Sequence, residues 1–126
     1  MPDWIFTIAA ISLIFHGIIH LMGFIVYWNE KDLEGGMKYK TTLLNGRWDL
    51  GDRSMKWFGV LWLLSMLGFI ATGIGLATDQ TWWQFLLVPV TLLSLVVCVL
   101  DWGYAYAGAV LDIVILILLV ALPFLT

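Results

Sequence analysis

The chain has 126 residues, of which 62% are hydrophobic and 12% charged, and its mean hydropathy is +0.97. Soluble domains run about 45–50% apolar and about 25% charged, and a domain near 150 residues hides only about 70% of its surface. Water is therefore the wrong solvent, which argues against a soluble enzyme or a secreted disulfide scaffold. A net charge of −3 offers no basic field for nucleic acid, and the lone Cys98 forms neither an internal disulfide nor a CxxC site.

The first apolar stretch runs from Trp4 to Trp28 without an acid, lysine or arginine. A cleaved signal peptide has a basic leader and an apolar core of about 7–15 residues. Here the leader is Met1-Pro2-Asp3 and the apolar run is far longer, so the segment is expected to stay in the mature protein. The connection that follows, 29–56, carries all six positive residues: Lys31, Lys38, Lys40, Arg47, Arg53 and Lys56. The positive-inside rule places such a short basic loop in the cytoplasm and both termini outside. Within it, the first helix is expected to continue through Glu34 and stop at Gly35-Gly36, Asn45-Gly46 reads as a tight turn, and Asp49 or Asp52 suits the start of the next helix.

Three further apolar stretches follow, at Trp57–Ala77, Trp82–Leu100 and Ala105–Thr126; Trp82–Leu100 carries Pro89, which is expected to kink it. Each stretch reaches the ~20 residues that span a ~30 Å hydrocarbon core as a helix. Lipid leaves no partner for unpaired backbone groups, and the apolar runs lack the alternation of barrel strands. The expected fold is all-α: one domain, residues 1–126, of four transmembrane helices in an up-down bundle in the cell (inner) membrane. Trp4, Trp82 and Trp83 fit the outer boundary and Trp28, Trp57 and Trp102 the inner one; Trp62 lies inside the second span.

Polar residues inside a membrane carry the functional information. Ser12, His16 and His20 repeat every four residues and so form one stripe on the first helix. Counting ~1.5 Å of rise per residue puts His20 ~6 Å and Asp112 ~5 Å to the cytoplasmic side of the bilayer centre. Ser94 and Trp62 reach similar depth by the same count. His16, His20, Asp112, Ser94 and Trp62 are thus the candidates for a ligand or proton pocket, with a His20–Asp112 contact expected. His16, His20 and Asp112 are also the candidate metal ligands, since two histidines one turn apart and a carboxylate form a familiar donor set. No cofactor is strongly implied: two histidines on one face cannot take opposite sides of a single haem. The competing reading is that these residues only fix helix rotation by interhelical hydrogen bonds, with Ser65, Thr72 and Ser94 bonding the carbonyl one turn back. Gly17, Gly23, Gly68, Gly75 and Gly108 mark close helix approaches.

Two stretches, Phe15-His16-Gly17-Ile18-Ile19-His20-Leu21-Met22-Gly23-Phe24 and Gly59-Val60-Leu61-Trp62-Leu63-Leu64 through Gly73-Ile74-Gly75-Leu76, resemble small uncharacterised bacterial four-helix membrane proteins. Some of these bear a generic permease label. The segment Thr41-Thr42-Leu43-Leu44-Asn45-Gly46-Arg47-Trp48-Asp49-Leu50-Gly51-Asp52 fits the same pattern, and the layout is similar to DoxX-like proteins in architecture only. The resemblance implies the topology and no reaction. The expected function is a non-enzymatic membrane protein that binds or passes a small molecule, or serves a larger complex, through the polar site. Its partners would be the lipid bilayer and either further copies of itself or another membrane protein. The alternatives are an intramembrane metal or acid/base enzyme acting on a lipid or quinone-like substrate, and a purely structural scaffold.

Overall fold

The protein is described by a computed structural model covering residues 3–125. In chain order the elements are α1 (Asp3–Ile19), α2 (Leu21–Asn29), β1 (Thr42–Leu43), β2 (Trp48–Asp49), α3 (Gly51–Ala77), α4 (Trp83–Leu100) and α5 (Trp102–Leu125). Four helical segments are long and apolar enough to cross a membrane: Asp3–Asn29, Gly51–Ala77, Trp83–Leu100 and Trp102–Ala121. Large apolar side chains such as Phe15, Leu67, Phe85, Val96 and Ile117 stand exposed on the outer faces of these helices.

The first span is one path made of two helices. At His20 the ring Nδ1 lies 2.8 Å from the His16 carbonyl oxygen, the acceptor that the His20 backbone N–H would normally use. That N–H turns instead to the Gly17 carbonyl at 3.0 Å, a tighter turn, and the bond from Phe24 N–H to the His20 carbonyl stretches to 3.5 Å. A side chain competing for a backbone acceptor thus interrupts the helical hydrogen-bond ladder at the histidine itself.

Several sequence expectations shift at the ends of the helices. α2 does not continue to Glu34; it stops at Asn29, and Glu30 takes left-handed dihedrals with φ 53°. The chain turns back there because Met37 and Leu33 have apolar surface to bury against the same core as Val26 and Tyr27. α3 starts before Trp57, at Gly51, whose φ of 74° favours glycine. Asp49 Oδ1 accepts the Gly51 N–H at 3.0 Å, so Asp49 holds that helix start, while Asp52 accepts a hydrogen bond from the Tyr39 hydroxyl. Burial and the Asp52 carboxylate both push the Tyr39 phenol up, so it remains a donor well above neutral pH. The turn at Asn45-Gly46 closes a two-stranded antiparallel hairpin pairing Thr42 with Asp49 and Leu43 with Trp48. α4 runs through Pro89 as one helix, and the break in helical dihedrals falls in α5 at Ala105 (φ −121°, ψ 15°). α5 begins at Trp102 rather than Ala105; Thr126, the last residue assigned to the fourth span, lies outside the described residues, as do Met1 and Pro2.

α1 and α2 pack on α3, α3 on α4, and α4 on α5, and α1 and α5 are not closely packed against each other. Glycines set the approaches. A β-carbon on Gly17 would stand 2.9 Å from Phe69 Cβ, on Gly68 2.4 Å from Val90 Cγ2, and on Gly108 2.9 Å from Cys98 Sγ. The tightest is Gly23, where it would stand 2.1 Å from Trp62 Cδ2. Gly23→Ala is therefore expected to lower stability by about 1–3 kcal/mol in a detergent unfolding titration. Gly36→Ala, whose β-carbon would meet only Leu33 Cβ at 3.8 Å, should stay within about 0.5 kcal/mol of the parent.

The interior has two apolar clusters. One, near the hairpin, gathers Val26, Tyr27, Leu43, Met55, Phe58, Trp62 and Val97; the other gathers Ala10, Leu13, Phe69, Leu76, Leu87 and Val90. The polar residues of the spans sit between them.

Candidate functional site

Four side chains from α1, the α1–α2 break, α4 and α5 join in that layer. Asp112, fully buried, meets His16 Nε2 at 3.0 Å through Oδ1, and its Oδ2 lies in hydrogen-bond contact with Ser94 Oγ at 2.6 Å. Ser94 Oγ lies 2.8 Å from His20 Nε2. The chain of contacts therefore runs His16–Asp112–Ser94–His20 and returns to the His16 carbonyl. His16 and His20 stand edge to face with ring centroids 4.8 Å apart, Phe69 packs on His16 at 4.8 Å, and Trp62 covers His20 at 5.3 Å.

The five residues singled out from sequence thus meet, with one correction. Asp112 touches His16, not His20; His20 reaches the carboxylate through Ser94. The His20 ring lies against Ser94 of α4, while the His16 ring lies against Asp112 of α5. Ser94 likewise departs from the local pattern, whereas Ser65 and Thr72 do bond the carbonyls of Leu61 (3.0 Å) and Gly68 (2.7 Å) one turn back. The Trp62 indole N–H and the Thr91 hydroxyl are buried with no hydrogen-bond partner among the described residues.

Counting hydrogens constrains the protonation of this layer. The contacts His16–Asp112, Asp112–Ser94, Ser94–His20 and His20–carbonyl number four and need four hydrogens. Two neutral imidazoles and one hydroxyl supply three. The fourth bond is made only when one more proton resides on Asp112 Oδ2 or on His20 Nε2. Either placement also makes the layer neutral overall, as burial in hydrocarbon demands. In both arrangements His16 Nε2–H is the donor to Asp112, so His16 Nδ1 carries a bare lone pair.

Both ring nitrogens of His20 are engaged, and those of His16 point elsewhere. No group of three His, Cys, Asp or Glu side chains among the described residues is arranged to hold a metal ion. The donor set His16, His20 and Asp112 therefore does not converge on one point.

Beside this layer, where α1 and α5 fail to close, lies a cavity of about 660 Å³. α1 contributes Ala9, Ser12, Leu13 and His16 to its wall and α5 contributes Ile115 and Leu119; Leu76, Trp83 and Leu87 of α3 and α4 also line it. Its polar groups include Ser12 Oγ and the His16 ring, one helical turn apart on the same stripe. Neither Ser12 Oγ nor His16 Nδ1 makes a hydrogen bond among the described residues.

A second buried carboxylate escaped sequence reasoning. Asp101 reads as an edge residue between the third and fourth spans, yet it is fully buried. The Tyr27 hydroxyl donates to its Oδ2 and the Lys40 ammonium sits 2.6 Å from its Oδ1. Lys40 also lies over the Tyr104 ring at 4.9 Å, the Lys38 N–H donates to the Tyr104 hydroxyl at 3.2 Å, and the Leu44 N–H donates to the Leu100 carbonyl at 2.8 Å. This cluster clamps the 30–50 connection to the α4–α5 corner. Its one sequence signal was an acid in a connection with no basic residue beside it. No protein-family model matches the chain, and neither does any curated protein or any solved structure.

Proposed function

We propose that this chain is a multi-pass integral membrane protein, an up-down bundle of four helices, that binds a lipid-like small molecule in the cleft between α1 and α5. The observation that carries the reading is the 660 Å³ cavity, within the usual size range of small-molecule sites, whose wall is apolar except at Ser12 and His16. An apolar body would lie along Leu13, Leu87, Ile115 and Leu119, and a polar head would meet the stripe. The His16–Asp112–Ser94–His20 layer holds this part of the cleft rigid by tying α1 directly to α5 at His16–Asp112 and both to α4 through Ser94. The six basic residues in 31–56 support a cytoplasmic position for the connection and outward termini, in the cell membrane.

Native mass spectrometry of mildly extracted protein tests this reading. The parent is expected to retain a small apolar molecule, and Ala9→Trp, which places an indole inside the cavity, is expected to lose it while unfolding at an unchanged detergent midpoint. Equal retention by both proteins would contradict binding in this cleft.

A further inference from the structure

The hydrogen count also specifies what the head group must be. We infer that the cleft selects a hydroxyl-bearing apolar molecule, an alcohol or a phenol, whose O–H donates to His16 Nδ1 and whose oxygen accepts from the Ser12 hydroxyl. This rests on the proposed binding in the cleft and adds the chemistry of the ligand.

Three observations meet here. Every fully bonded neutral state of the buried layer assigns the Nε2 hydrogen of His16 to Asp112, which leaves Nδ1 an acceptor in that state. A carbonyl, ester or ether head has no hydrogen to offer that lone pair, while a hydroxyl has one. Ser12 supplies the reciprocal group: its hydroxyl lies one turn from His16, lines the same cavity and has no partner among the described residues. A hydroxyl is the smallest group that donates to one and accepts from the other. A charged head fits poorly, because the layer reaches neutrality without one and no lysine, arginine or acid is among the cavity-lining residues.

The test uses matched probes in nanodiscs of saturated phosphatidylcholine: hexadecanol against its methyl ether, and 4-dodecylphenol against its methyl ether. Occupancy is read by native mass spectrometry at equal concentrations in the bilayer. At least one hydroxyl probe is expected to bind about tenfold more tightly than its ether, the effect of one to two hydrogen bonds. Ser12→Ala removes no contact within the protein and is expected to reduce that preference to about threefold with an unchanged unfolding midpoint. Ethers that bind as tightly as the hydroxyl probes would overturn the head-group assignment while leaving the cleft reading intact. Failure of all four probes to bind would overturn both. The pair with the larger preference identifies an aliphatic or an aromatic ligand.

Discussion

Asp112→Ala is expected to lower stability by about 2–5 kcal/mol, whereas Asp112→Asn is expected to retain most of the parent's stability. Alanine strands the His16 Nε2–H and the Ser94–His20 pair in a buried layer, and each orphaned polar group costs about 1–3 kcal/mol. Asparagine has the shape of the protonated acid. Its carbonyl accepts from His16 Nε2, its amide donates to Ser94 Oγ, and Ser94 is then free to donate to His20 Nε2. All four bonds are made without the extra proton, at the expense of one surplus N–H. Unfolding titrations of the three proteins in one detergent check the point. If asparagine is as damaging as alanine, the proton count is wrong.

The second large effect belongs to Asp101. Lys40→Met is expected to destabilise by about 3–5 kcal/mol, because it leaves a fully buried carboxylate without its cation. Removing both charges in Lys40→Met/Asp101→Leu should recover much of that loss, since a buried pair gains little over apolar residues of similar volume. Tyr27→Phe, which deletes one hydrogen bond to the same carboxylate, should cost about 1 kcal/mol. Limited trypsin digestion gives a local readout. With the clamp broken, cleavage after Lys38 and Arg47 should accelerate well before the spans unfold. A double variant no more stable than Lys40→Met alone would show that Asp101 is not the anchor of the connection.

The extent to which sequence reveals this protein follows from which forces are local. The four long apolar helices were legible because length and apolarity are written in the composition of each segment. The shared level of the polar residues was legible as well, since helical rise is constant, and Ser94 does link His20 with Asp112. Which histidine touches Asp112 was not legible. Each residue turns a helix by about 100°, so two residues of one stripe can still aim at different neighbouring helices. The His20 ring is held by Nδ1 against the His16 carbonyl, a rotamer choice that spacing does not encode. Asp101 was misplaced for a different reason: a residue at a span boundary looks hydrated until a distant segment, here Lys40, is seen folded over it. The end of α2 was missed because burial of Met37 outweighed the helical tendency of Asn29–Glu34.

Photolabelling with a diazirine-bearing hexadecanol in native membranes tests most directly whether a lipid-like molecule occupies the cleft between α1 and α5. Label is expected to concentrate on Ala9, Leu13, Ile115 and Leu119 in the cleft wall and to be suppressed by excess hexadecanol. Label spread evenly over exposed outward residues such as Leu67, Ile74 and Val96, with no competition, would contradict it.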